Sequence, residues 1–176
     1  MAQNIKIAWG KKLTSEEKEE FLKVCVRLDI HPDFLMACIA FETGETFSPS
    51  IKNSAGSNAL GLLQFMPTTA AGLGTTTKKL SAMTFIEQLA YVEAYLRPYK
   101  GRLKTLSDVY MAILWPAAVG KPEDYILFDK TDVKNPKRYL QNRGLDFNKD
   151  GRIVKGETAL KIEEKLKKGK RPEYYG

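Results

Sequence analysis

Apolar residues recur at helical spacing in several segments of the chain, and these segments begin or end at recognisable signals. Thr14 and Glu17 lie three residues apart, as in a capping box, and the apolar positions that follow continue to Leu28. The next segment, residues 32–42, is apolar almost throughout and begins with a proline, which is favoured in the first turn of a helix. The pattern therefore predicts an amphipathic helix followed by a buried helix that ends near Glu42.

Two further helices are predicted from the same signals. Thr84 and Glu87 form a second capping box ahead of an apolar face, and Thr105 and Asp108 repeat the spacing before another apolar stretch. Residues 44–60 are rich in Ser, Asn, Gly and Thr, which favour turns, although short strands are possible there. The pattern therefore predicts a mainly α fold with at most a small β-hairpin region.

Residues 120–136 combine glycine, prolines and alternating charges, which indicates a boundary. We divide the chain into a main region, residues 1–128, and a basic C-terminal region, residues 129–176, packed on the same domain. The C-terminal region contains 14 Lys/Arg and 8 Asp/Glu, and so carries +6 of the net charge of +7. This skew is compatible with an anionic partner or with a solvated face. The basic region is not accompanied by the Cys/His spacing of a zinc site, by a phosphate-binding glycine loop or by an RNA-binding motif. We therefore expect no nucleic-acid partner.

The start of the chain lacks the continuous apolar stretch of a signal peptide, and no run of about 18 uncharged apolar residues occurs. We expect a monomer that is made in the cytoplasm without a signal peptide and is not an integral membrane protein. Cys25 and Cys38 lie in apolar, helix-patterned segments, so we expect buried free thiols and not a disulfide.

Glu42 shares one face of the predicted 32–42 helix with Leu35, Cys38 and Ile39. A carboxylate on an apolar face loses hydration, and the negative end of the helix dipole opposes its charge further. Both effects raise the pKa of the carboxyl group, as a general acid requires near neutral pH. Position alone also permits a glutamate that merely caps the helix or reaches solvent.

Four short motifs follow one another in this part of the chain: AFETG at residues 40–44, PSIKNSAG at 49–56, GLLQFMP at 61–67 and TAAGLG at 69–74. They resemble motifs of the soluble lytic transglycosylase family, which belongs to the lysozyme-like superfamily. Their order and approximate spacing match the family pattern, and the resemblance spans roughly residues 30–120. It implies a lysozyme-like, α+β helical bundle around a substrate groove, and an unexported enzyme of this size is similar to phage lysins and virion-associated lysozymes.

The resemblance implies that Glu42 is the catalytic acid/base for cleaving the β-1,4 bond between MurNAc and GlcNAc in peptidoglycan glycan strands. It also implies that Gln64 and Met66 line the groove, although a glutamine at this position can instead satisfy only backbone groups. In this family the 6-hydroxyl of muramic acid attacks and leaves a 1,6-anhydro end, and no cofactor is needed for catalysis. The resemblance implies that the protein acts on the bacterial cell wall, either as a free lysin or as a component of the virion.

The chain departs from the family pattern at two places. Residues 110–120, YMAILWPAAVG, match the family's Ala-Tyr-Asn-Ala-Gly only in part, so Tyr110 and Trp115 are candidates for sugar contacts while Pro116 has no side-chain amide to offer. A small insertion adds Glu45, which either is solvated or acts with Glu42 on water to give hydrolysis. The alternatives are therefore a hydrolytic muramidase, or a non-catalytic phage structural or wall-binding protein.

Residues 146–157 fit the twelve-residue EF-hand template, with a glycine at the sixth position. The predicted calcium ligands are the side chains of Asp146, Asn148, Asp150 and Glu157 and the backbone carbonyl of Arg152. Since the chain contains no second such loop, we expect a structural Ca²⁺ and not a sensor; the alternative is a metal-free turn.

Overall fold

The structure, a computed structural model, describes residues 5–176, so residues 1–4 of the predicted main region lie outside it. Residues 5–176 contain nine α-helices, four short 3₁₀-helices and one two-stranded antiparallel sheet, which confirms the predicted mainly α fold with a small β element. The helices are α1 (Ser15–Leu28), α2 (Pro32–Glu42), α3 (Pro67–Gly72), α4 (Thr77–Ser81), α5 (Phe85–Leu96), α6 (Leu106–Leu114), α7 (Pro136–Asn142), α8 (Lys155–Thr158) and α9 (Leu160–Gly169). The strands are β1 (Ile126–Asp129) and β2 (Arg152–Val154).

Both predicted capping boxes form. The Thr14 hydroxyl accepts from the Glu17 N–H at 3.2 Å and the Glu17 carboxylate accepts from the Thr14 N–H at 2.9 Å, and Thr84 and Glu87 exchange the same pair of bonds at the start of α5. Each box satisfies two backbone donors that a helix start leaves unpaired. The helix boundaries predicted at these positions are confirmed.

The start of α6 differs from the two boxes. The Thr105 hydroxyl accepts from the Asp108 N–H at 3.1 Å, but the Asp108 carboxylate does not return to the backbone of Thr105. It accepts instead from the Gly120 N–H at 2.8 Å and from the Lys155 ammonium at 2.5 Å. The side chain therefore ties α6 to the chain beyond it.

Helix α2 runs through the centre of the core. It occupies Pro32–Glu42, as the sequence predicts, and the six residues from Leu35 to Ala40 are all fully buried. Helices α1, α6 and α9 pack around it, which explains why it has no polar face. Cys38 on α2 and Cys25 on α1 are buried free thiols, and the prediction of no disulfide is confirmed.

The two-stranded sheet lies in a different part of the chain from the segment where the sequence allowed short strands. Within residues 44–66 the structure has turns and two isolated bridges, Lys52 with Leu60 and Leu60 with Phe65, because Gly, Ser and Asn bend this segment repeatedly. The boundary that we placed after residue 128 falls inside strand β1, which pairs with β2 of the C-terminal region.

The C-terminal region packs on the same core. Helix α9 contacts α2, and the Trp9 indole N–H donates to the Lys165 carbonyl at 2.9 Å. Ile7 and Gly176 exchange backbone hydrogen bonds at 2.9 and 3.3 Å. None of the helices in residues 5–176 has the length and apolar character needed to cross a membrane.

Candidate functional site

The end of α2 is held in one conformation by its own backbone and by Thr43. The Thr43 hydroxyl donates to the Ile39 carbonyl at 2.7 Å and accepts from the Phe47 N–H at 3.0 Å. Glu45 has a positive φ of 68°, and its N–H donates to the Ala40 carbonyl at 2.7 Å. These bonds turn the chain sharply after Glu42, so the last residue of α2 has a fixed position.

Glu42 is half-buried as a residue, and desolvation of its carboxyl group raises the pKa from 4.5 to about 7. The predicted direction of the shift is confirmed, and desolvation is its cause. Within residues 5–176, no hydrogen bond or ion pair reaches this carboxylate, so nothing offsets its lost hydration. At neutral pH the group is therefore poised between its protonated and ionised forms, and its oxygens remain available to a ligand.

Two tyrosines lie close enough to Glu42 for its charge to change their pKa values. The pKa of Tyr95 is raised to about 12, mainly by burial and to a smaller extent by Tyr99 and by the charge of Glu42. Burial and the charge of Glu42 also raise the pKa of Tyr110. The Tyr95 hydroxyl donates to the Ala112 carbonyl at 2.6 Å and so is not free to bind Glu42. The pKa values of both tyrosine hydroxyls therefore depend on whether Glu42 is ionised.

A small cavity of about 70 Å³ shares Tyr95 with the surroundings of Glu42. It is lined by residues 63–66 together with Thr69, Tyr95 and Ile113. Pockets that enclose ligands usually measure about 300–1,000 Å³, so this cavity cannot enclose a hexose. The cavity therefore has room for only a small chemical group.

Two larger depressions lie away from Glu42. One, of about 500 Å³, lies between the 52–60 segment and α4, and the other, of about 590 Å³, lies between α1 and the segment 103–104. Neither is lined by Glu42.

The side-chain amide nitrogen of Gln64 donates hydrogen bonds to two backbone carbonyls. The residue has a positive φ of 51°, and its amide donates to the carbonyls of Ile51 and Gly61 at 3.2 and 3.1 Å. Gln64 lines the small cavity, and its side-chain oxygen accepts no hydrogen bond within residues 5–176. Met66, beside it, lies just before α3 and is 44% exposed. These two groove candidates are therefore brought together at the cavity, with one polar atom available.

Tyr110 is buried, contrary to the sugar contact that the resemblance implies, whereas Trp115 is only partly covered. Tyr110 is only 4% exposed and packs edge-on against Phe41, so a sugar cannot reach it. Trp115 packs edge-on against Phe128 at 5.1 Å, and the Arg138 guanidinium lies over its ring at 5.2 Å. One ring face of Trp115 is thus covered by a cation, and stacking on a sugar there requires displacement of Arg138.

Glu45 is bound by two lysines of α9. Its carboxylate oxygens lie 2.5 Å from the Lys165 ammonium and 2.6 Å from the Lys168 ammonium. Burial raises the pKa of Glu45, but the two ammonium groups outweigh burial, and the pKa is lowered overall. Sequence reasoning missed these lysines. The available signal was their spacing of three, which places both on one side of a helix.

The EF-hand-like loop, residues 146–157, follows α7, contains strand β2 and ends within α8. The Glu157 carboxylate accepts from the N–H groups of Phe147 and Asn148, at 2.7 and 3.0 Å, and so reaches back to the start of the loop. The Asp150 carboxylate accepts from the Arg152 N–H at 2.7 Å. In the part of the chain that is described, no three His, Cys, Asp or Glu side chains already converge as metal ligands.

No protein-family model and no curated protein matches this chain.

Proposed function

We propose that this protein is a peptidoglycan lytic enzyme that cleaves the β-1,4 bond between MurNAc and GlcNAc, with Glu42 as general acid and base. The observation that carries the proposal is the burial of Glu42 at the end of α2, which raises its pKa to about 7. A carboxylic acid protonated near neutral pH can donate its proton to a glycosidic oxygen, and the resulting carboxylate can then accept one.

The first step transfers the Glu42 proton to the bridging oxygen as the C1–O bond of MurNAc breaks. The GlcNAc end leaves as an alcohol, and the positive charge that develops on the MurNAc ring is stabilised by the Glu42 carboxylate. In the second step the MurNAc 6-hydroxyl attacks C1 and returns its proton to Glu42. The enzyme is regenerated, and the product is a 1,6-anhydro end without addition of water.

The ion pairs of Glu45 favour this route over hydrolysis. A second carboxylate that activates water must accept a proton, and Glu45 is held by Lys165 and Lys168 with a lowered pKa. A carboxylate stabilised in this way is a weaker base. The hydrolytic muramidase therefore remains the alternative outcome.

The remaining features support a wall substrate. The carbonyl oxygen of Gln64 can accept a hydrogen bond from a sugar hydroxyl or an N-acetyl N–H, and the net charge of +7 favours approach to the acidic bacterial envelope. We infer that the enzyme acts on the bacterial cell wall as a phage lysin or virion-associated enzyme.

Purified peptidoglycan tests the proposal. Wild-type protein is expected to release soluble muropeptides with 1,6-anhydro ends, which mass spectrometry distinguishes because reducing ends are heavier by one water. Reducing ends alone would instead identify a muramidase. Absence of any release, together with co-sedimentation with the wall, would support a non-catalytic wall-binding protein.

Glu45→Gln separates the two chemical routes. Because the lysines already occupy Glu45, we expect the variant to keep its anhydro product and to retain activity within about tenfold, well below the loss that removal of a general acid or base causes. The rate of muropeptide release and the mass of the ends are the measurements. A loss as large as that of Glu42→Gln would make Glu45 the second catalytic group.

A further inference from the structure

The EF-hand-like loop contains two buried carboxylate oxygens without a partner. Asp146 and Glu157 are each 8% exposed, and the Asp146 Oδ1 and Glu157 Oε2 atoms make no hydrogen bond. Burying a charged acceptor without a partner is costly, and proteins generally pair such groups. The loop therefore retains an unfavourable arrangement that a cation at the same place would relieve.

The second oxygen of each of these two carboxylates accepts hydrogen bonds, and these bonds fix the orientation of the carboxylate. Asp146 Oδ2 accepts from the Gly151 N–H at 3.0 Å and from the Tyr139 hydroxyl at 2.5 Å. Glu157 Oε1 accepts from the N–H groups of Phe147 and Asn148. Each carboxylate thus uses one oxygen to fold the loop backbone around it and leaves the other unpaired.

No side-chain cation neutralises these carboxylates. The Lys130 side chain lies against Gly151, and the Lys161 ammonium lies over the Phe147 ring, but among the described residues no ion pair reaches Asp146 or Glu157. Gly151 has a φ of 86°, as the sharp turn at the sixth position of such a loop requires. Both charge and backbone shape therefore suit a divalent cation.

The end of the loop is anchored to the core. Strand β2 pairs with β1, Ile153 is fully buried, and the Lys155 ammonium binds the Asp108 carboxylate and the Lys121 carbonyl. Glu157 lies in α8, directly before α9. A ligand that fixes Glu157 therefore acts at the start of the helix that packs on α2 and binds Glu45.

We propose that residues 146–157 bind one Ca²⁺ through oxygens of Asp146, Asn148, Asp150, Glu157 and the Arg152 carbonyl, and that the ion holds α9 in the position from which Lys165 and Lys168 bind Glu45. Asp150 must exchange its bond with the Asn148 amide, at 3.2 Å, for the ion. The proposal does not depend on lytic activity, because binding and stability are measured without substrate.

Calorimetric titration of chelator-treated protein with CaCl₂ tests the site. We expect one binding event and, at a Ca²⁺ concentration one hundred times the Kd, a rise in Tm of about 5–10 °C. MgCl₂ at the same concentration is expected to raise Tm less, because Mg²⁺ requires a smaller octahedral site. Absence of both the binding heat and the Tm rise in CaCl₂ would overturn the proposal.

Glu157→Gln keeps the acceptor that folds the loop but removes the charge, so the apo protein should still fold while the Ca²⁺-dependent rise in Tm is lost. Asp150→Asn, which is exposed, should weaken binding more mildly. Glu163→Gln on α9 is the control and should bind as wild type does. An undiminished Tm rise in Glu157→Gln would place the ion elsewhere.

Hydrogen exchange tests the coupling to α9. Ca²⁺ is expected to slow exchange of the amides of α9 and to leave those of α1 unchanged. Binding at the loop without any change in α9 would overturn the coupling.

Discussion

Glu42→Gln is expected to cleave peptidoglycan about 10²–10⁴-fold more slowly than wild type and to be the more stable protein at neutral pH. The amide has nearly the shape of the carboxyl group but neither donates the proton nor accepts it back. It also removes a partly desolvated charge that has no hydrogen-bond or ion-pair partner within residues 5–176. Loss of activity with gain of stability distinguishes a functional acid from a structural glutamate.

The sign of the stability effect follows from the pKa of Glu42. Between pH 4.5 and about 7, the folded protein holds a proton on Glu42 that the unfolded chain releases, so wild-type stability falls as pH rises through this interval. The stabilisation is complete below pH 4.5 and is lost above about 7. The pKa shift corresponds to about 3 kcal/mol at most.

Urea unfolding at pH 4.5 and pH 8 measures this effect. The two proteins should have similar free energies of unfolding at the lower pH, and Glu42→Gln should exceed wild type by about 1–3 kcal/mol at the higher pH. Wild-type kcat/KM should also decline above pH 7, as the acid loses its proton. A difference that does not vary with pH would contradict the raised pKa.

Glu93→Gln is the matched control, because Glu93 is a buried glutamate whose pKa is lowered by Arg27 and, against the effect of burial, by Arg97. Its contribution to stability is present above pH 4.5 and is lost as pH falls through its folded pKa, the opposite of Glu42. The control should therefore lose stability at neutral pH while retaining lytic activity. Equal loss of activity in both variants would point to a general effect on folding.

Local signals in the sequence predict the part of the site that depends on a single helix. The proline start, the continuous apolar run and the following Gly44 determine the bounds of α2, and burial of one face follows from helical periodicity. The raised pKa of Glu42 could therefore be predicted without coordinates. The free thiols of Cys25 and Cys38 followed from the same pattern.

Contacts between distant segments could not be predicted in this way. The pairing of Glu45 with Lys165 spans 120 positions, and the sheet joins β1 to β2 across a 22-residue connection, so neither has a signal within one helix or turn. Tyr110 shows the same limit, because its helical position is predictable whereas its burial against Phe41 depends on how α2 and α6 pack. Side chains whose surroundings come from distant segments of the chain are therefore the least predictable from sequence.

The largest loss of stability is expected from Lys155→Met, at about 3–5 kcal/mol. The Lys155 side chain is 1% exposed, and its ammonium lies 2.5 Å from the Asp108 carboxylate and 2.7 Å from the Lys121 carbonyl. Methionine fills the space but leaves the Asp108 charge buried beside only the Gly120 N–H and the capping Thr105. Removing one partner of a buried pair is costlier than the pair's net contribution, because the other charge stays uncompensated.

Adding Asp108→Asn to Lys155→Met should restore part of the lost stability, because no buried charge is then left without its partner. Thermal unfolding of the two single variants and the double variant measures this coupling. Lys104→Met, which breaks the exposed pair with Asp29, should change the midpoint little and serves as the control. If Lys155→Met were no more destabilising than Lys104→Met, the C-terminal region would not depend on this ion pair for its attachment to α6.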